Sequence, residues 1–105
     1  MNTKKHLPMC GTQIDRATRM VRAYKHPNRY EIIGRLLRHG KLSSGEIASY
    51  LKLEEHYISE QLDILCRNGL VTVEGFGEQR YFAANEARLQ VLKKCVAVFN
   101  NSASN

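Results

Sequence analysis

The side chains with the most specific chemistry lie between residues 41 and 80. His56, Tyr57, Ser59, Gln61 and Arg67 fall in one stretch, with Lys41 and Ser43 before it and Arg80 after it. A glutamine carboxamide can pair with the N6/N7 edge of adenine, and Ser, Tyr and His can reach base edges or phosphates. Lys and Arg neutralise phosphate charge. As a set these residues suit reading a nucleic acid better than breaking a bond. Gly75-Phe76-Gly77 is too short for a phosphate-binding loop, and no Ser/His/Asp or Cys/His set has motif context. His6, His26, His39 and His56 share no metal-ligand spacing. Neither an enzyme nor a metal or cofactor site is expected.

The elements that must position these side chains run from Leu42 to Phe82. Ser43-Ser44-Gly45-Glu46 is a capping box: the Ser43 hydroxyl can accept from the free backbone N–H groups while Glu46 reaches back. Ile47, Ala48 and Leu51 form one apolar stripe, Lys52-Leu53 makes a turn, and Ile58, Leu62 and Leu65 repeat at helical spacing over a second helix from Glu54 to Asn68. Its outward face then carries His56, Ser59, Glu60, Asp63 and Arg67, with Tyr57 and Gln61 on the flank. Gly69 suits a helix stop. Leu70-Val71-Thr72-Val73 and Arg80-Tyr81-Phe82 are β-prone runs around Glu74-Gly75-Phe76-Gly77-Glu78. Two helices followed by a hairpin give a mostly α fold with a β-hairpin wing, a winged helix-turn-helix. In that architecture the second helix enters the major groove and the wing contacts phosphates or the minor groove. Tyr57 and Gln61 have a second reading, in which they pack against the preceding helix.

Around this unit, residues 1–11 are polar and contain Pro8, which predicts a loosely held arm. From Thr12 a helix is expected, with Ile14, Ala17, Met20, Val21 and Tyr24 on one face and Arg16, Arg19, Arg22 and Lys25 on the other. His26-Pro27 breaks it. A second helix from Asn28 to His39 turns Ile32, Ile33, Leu36 and Leu37 inward and stops at Gly40. Asn85 can cap a last helix from Glu86 to about Phe99, striped by Leu89, Leu92, Val96 and Phe99, and 100–105 form a polar tail. Residues 12–99 thus make one domain. Its first and last helices carry enough apolar surface to pack against their copies in a homodimer; alternatively they close the monomer's own core.

Net charge is +6 over 105 residues, which favours a polyanionic partner. The distribution is uneven: residues 1–41 hold ten Lys/Arg against Asp15 and Glu31, net +8, whereas 42–68 hold Lys52 and Arg67 against five acids, net −3. Basic charge precedes the helix-turn-helix instead of lying on it. No apolar run has the roughly 20 residues a membrane span needs, and Met-Asn-Thr-Lys-Lys does not start a signal peptide, so a cytoplasmic protein is expected.

Pro27-x-Arg29-x-x-Ile32-Ile33, Glu46-Ile47-Ala48-x-x-Leu51-x-Leu53, Ser59-x-Gln61-Leu62-x-x-Leu65, Gly69-Leu70-Val71, and Gly77 with Tyr81-Phe82 together resemble the ArsR/SmtB family of small bacterial winged-helix repressors. The resemblance spans residues 12–99. It implies a homodimer, dimeric through the first and last helices, that binds a double-stranded DNA operator and in many members releases it on meeting a metal, metalloid or oxidant. The chain also departs from the pattern. Glu54 replaces the usual Ser cap, Glu60 lies mid-helix, and Glu74 and Glu78 occupy wing positions that are commonly basic, so DNA affinity is expected to be salt-sensitive and modest.

The family's Cys-x-Cys metal motif is absent, since Ile47-Ala48-Ser49 has no thiol, and 86–99 contains no His or Asp. The three cysteines, Cys10, Cys66 and Cys95, are too far apart for a disulfide framework. The family's layout places Cys10 near Cys95, which makes them a candidate thiol sensor; they can equally be a free thiol on the arm and an apolar residue of the dimer stripe. Two further readings remain: a protein-interaction module with an acidic recognition face, and a constitutive DNA binder without an inducer.

Overall fold

The computed structural model describes residues 11–94. Five helices and one hairpin follow in order: α1 (Gly11–Lys25), α2 (Pro27–His39), α3 (Ser44–Leu51), α4 (Glu55–Arg67), β1 (Val71–Glu74), β2 (Tyr81–Ala84) and α5 over 86–94. The expected winged helix-turn-helix is present. Ile14's side chain, Cys10, Cys95, Val96, Phe99, the tail and all of the arm except the helical Gly11 lie outside the described residues.

Each boundary has a local cause. Pro27 stands in the first turn of α2, where its missing N–H costs nothing, and His26 keeps extended geometry before it. The capping box of α3 is complete: Glu46 N donates to Ser43 Oγ at 3.2 Å and Ser43 N to Glu46 Oε1 at 2.9 Å. Lys52 takes the left-handed conformation (φ 57°) to make the turn into α4. Asn85 caps α5 through Oδ1, which accepts from Arg88 N at 3.2 Å, while its Nδ2 donates to Gly69 O at 2.9 Å. One asparagine therefore ties the end of α4 to the start of α5.

The hairpin pairs antiparallel, Val71 with Ala84 and Val73 with Phe82. Leu42 joins it through a double bridge to Phe82, at 3.0 and 2.8 Å, a third edge that the sequence reading did not contain. The wing is thereby pinned to the segment that caps α3. Ile32, Ile33, Leu36, Ile47, Ile58, Leu62, Leu65, Leu70 and Leu89 fill the centre. At roughly 1.5 to 3 kcal/mol for each fully buried aliphatic side chain, this shared cluster fixes α4 against α2 and α3.

One expectation about faces needs correction. Leu37 was placed inward, yet it is 43% exposed, because Ile33 and Leu36 already fill the inner arc of α2. The terminal stripes divide their work: Met20 and Ala23 of α1 and Leu89 and Leu92 of α5 close the protomer's own core, while Val91 stays 58% exposed. The described part of these helices serves the monomer first. No described helix is long and apolar enough to cross a membrane.

Candidate nucleic-acid interface

The open face of the recognition helix α4 sits beside a groove of about 390 Å³ between the start of α3, α4 and the wing. Ser43, Ser44, Ser59, Glu55, Glu78 and Arg80 line it. Three of the expected contact residues, Ser43, Ser59 and Arg80, thus line one groove. His56 stands one turn before Glu60, with its side chain 80% exposed and Nε2 3.6 Å from a Glu60 oxygen. In the first two turns of α4, the part of a recognition helix that meets base edges, Glu55, His56 and Glu60 are exposed and Ser59 is half-buried.

The flank behaves differently. Gln61 is only 8% exposed, and its Oε1 accepts from Arg29 Nε at 2.9 Å. The half-buried Tyr57 accepts through its hydroxyl from Asn28 Nδ2 at 2.6 Å. Both therefore pack against α2, and neither offers its polar group to a duplex. The physical reason is helical geometry: positions 57 and 61, four apart, share a line along the helix, and α2 covers that line. The flank expectation placed them too far out.

Arg67 is also misplaced by its spacing. It belongs to the last turn of α4, its Nε donates to Asp63 O at 3.4 Å, and it faces a different hollow with Arg16, Arg19 and Arg88. About eight residues at 1.5 Å each, some 12 Å of helix, separate it from Ser59. Lys41 reaches the wing, but its Nζ lies 2.8 Å from both oxygens of the Glu74 carboxylate, an exposed ion pair that engages its charge. The exposed Arg80 guanidinium lies 5.7 Å from the Phe82 ring centroid and is held by no carboxylate in an ion pair among the described residues.

The acids bear on the same groove. Glu55 turns back toward the start of α3, accepting from Ser44 Oγ at 3.0 Å, with its oxygens about 3.5 Å from where a Cβ on Gly45 would stand. A carboxylate thus occupies the positive end of α3, where a phosphate could otherwise bind. Sequence reasoning also passed over Phe76, which is 91% exposed at the wing tip between two glycines. Its signal was the sequence itself, an aromatic side chain isolated in a turn. Among the described residues no group of three His, Cys, Asp or Glu side chains converges as a metal site.

With this geometry in view, residues 26–73 match the model of the family described as bacterial regulatory protein, arsR family. The matched segment runs from the cap of α2 through α4 into β1. Over that segment the chain is similar to the arsR family. Solved structures agree in fold. HlyU from Vibrio cholerae shares 26% identity at a TM-score of 0.65, covering 82% of this chain and 97% of its own. The homodimeric winged helix-turn-helix DNA-binding domain Mb0332 from Mycobacterium bovis shares 20% at 0.71, covering 90% and 94%. The transcriptional repressor PagR of Bacillus anthracis shares 21% at 0.66, covering 80% and 97%. No curated protein matches the chain.

Proposed function

We propose that this chain is an arsR-type, sequence-specific DNA-binding transcriptional regulator that works in the cytoplasm as a homodimeric repressor. The carrying observation is that Ser59 of α4 and Arg80 of the wing line one groove of about 390 Å³, with His56 exposed on the same early turns of α4. His56 and Ser59 read base edges, Arg80 holds a phosphate through the wing, and Ser43 with its neighbours lines the floor. Residues 12–99 form the binding and dimerisation unit, with 1–11 and 100–105 as extensions. Val91, exposed on α5, and the homodimeric state described for Mb0332 support the dimer; the description of PagR supports repression.

Sequence-selection binding with the purified dimer, followed by anisotropy on the selected duplex, tests this reading. A selected site bound at least about a thousandfold more tightly than random duplex is expected, in the range of specific regulators. A monomer in sedimentation, or no selected sequence at low salt, would overturn it. The exposed Glu54, Glu55, Glu60 and Asp63 favour a second reading, a partner protein docked on α4, and failure of selection by a stable dimer would direct attention there.

A further inference from the structure

Four arginines from three helices converge at the end of α4 opposite the groove. Arg16 and Arg19 of α1, Arg67 of α4 and Arg88 of α5 line a hollow of about 330 Å³, and no carboxylate lines it. The two ion pairs among the described residues, Lys41–Glu74 and His56–Glu60, use none of these arginines. Among the described residues Arg67 donates to the backbone of its own helix, at Asp63 O. One cation would be enough to complement the negative end of α4; Arg16 and Arg19 arrive from α1, and Arg88 stands in the first turn of α5, where a further cation is not called for.

The hollow is built around Gly69. A Cβ at that position would stand 3.6 Å from both Cζ and Nη1 of Arg88, so the guanidinium lies directly over the glycine. Asn85 sets the relation by bonding to Gly69 O with its amide and to Arg88 N with its oxygen. Four planar forks with several N–H donors each, placed around one concavity, repel one another and match the oxygens of a multivalent oxyanion, which they can grip in pairs.

We propose that this hollow is a binding site for a free, compact, multivalent oxyanion of the phosphate type, separate from the duplex-reading face. Because it joins α1 and α5 to the end of α4, occupancy would brace the recognition helix from behind. Binding is measured on the protein alone, so its failure is distinguishable from failure of the DNA-binding proposal.

Inorganic pyrophosphate is the probe, titrated calorimetrically into the full-length protein at low, fixed salt. One pyrophosphate per chain is expected. The R19Q/R88Q variant should weaken it at least tenfold, whereas Arg22→Gln, on α1 but outside the hollow, should keep it within twofold. R19Q/R88Q should also leave affinity for a selected duplex and its salt slope unchanged. Circular dichroism melting checks that the variants fold. Absence of saturable binding, or equal losses in R22Q and R19Q/R88Q, would overturn the proposal. So would loss of duplex affinity and slope in R19Q/R88Q with pyrophosphate competing, which would assign the arginines to the DNA backbone.

Discussion

Arg29 at the start of α2 donates its Nε–H to the carboxamide oxygen of Gln61 at 2.9 Å, where Gln61 is almost fully buried on the covered flank of the recognition helix. With the Asn28–Tyr57 bond beside it, this contact sets how α4 leans on α2, and hence which of its side chains face outward. A glutamine that looks like an adenine reader is instead a strut.

The first prediction follows from that bond. Gln61→Ala removes a buried acceptor and leaves the half-buried Arg29 guanidinium without its partner, which should cost about 1 to 3 kcal/mol. Thermal denaturation should show a clear fall in Tm. Discrimination among operator bases should stay as in the parent protein, whereas loss of a true bidentate contact would relax one position by roughly 1 to 3 kcal/mol. A one-base relaxation in a mismatch series would return Gln61 to the reading face.

How much of this was legible from the chain depended on whether a signal was local. The capping box at Ser43, the stop at Gly69 and the stripe Ile58, Leu62, Leu65 are short-range patterns, and each element followed them. What failed needed knowledge of the neighbours. Gln61 and Leu37 each sit at the margin of a helical stripe, where only the packing of α2 against α4 decides the side. Lys41 and Glu74 are far apart in sequence and meet only because Leu42 bridges Phe82. The gathering of Arg16, Arg19, Arg67 and Arg88 from three helices left no periodic trace.

Arg80 and Ser59 separate positioning from reading. Arg80→Ala should weaken binding evenly across sequences and lower the salt slope by roughly 1, since one phosphate contact goes. Ser59→Ala should leave the slope intact and change preference at one base. Anisotropy titrations over a salt series would show both; a slope unaffected by loss of Arg80 would strike it from the interface.

Glu55 holds the start of α3 as a carboxylate held by Ser44, competing with any phosphate for the same positive end. Glu55→Gln keeps the shape and removes the charge. Duplex affinity at low salt should rise several-fold, with the gain shrinking as salt screens the repulsion. A fall in affinity would mean that the charge orders the groove more than it repels the ligand.

The half-buried Cys66 thiol is pushed up from its ordinary pKa, first by burial and then by the Asp63 charge, with Arg80 opposing. A raised value means the folded state holds the proton more tightly. The associated stability is fully present below the unfolded thiol's pKa of about 8.5 and is lost as pH rises through the folded value. Cys66 should therefore react slowly with iodoacetamide at pH 8 in the native protein and several-fold faster when unfolded. Peptide mass spectrometry resolves it from Cys10 and Cys95, and equal rates in both states would contradict the shift.

The wing tip supplies the last prediction. Gly75 has φ +90°, and a Cβ built there would stand 2.1 Å from the carbonyl oxygen of Gln79. The contact is with backbone, so the turn itself must move. Gly75→Ala should cost the tip about 1 to 3 kcal/mol in backbone conformation and displace Phe76 and Arg80 together. The core, shared by α2, α3 and α4, does not pass through the tip, so Tm should fall little while duplex affinity drops at least tenfold. Phe76→Ser isolates the ring, which is placed to act as an apolar wedge against the minor groove. It should lower affinity without altering the salt slope, because no charge is lost. Should Gly75→Ala melt the whole domain instead, the wing would be part of the folding unit and not an appendage carried by it.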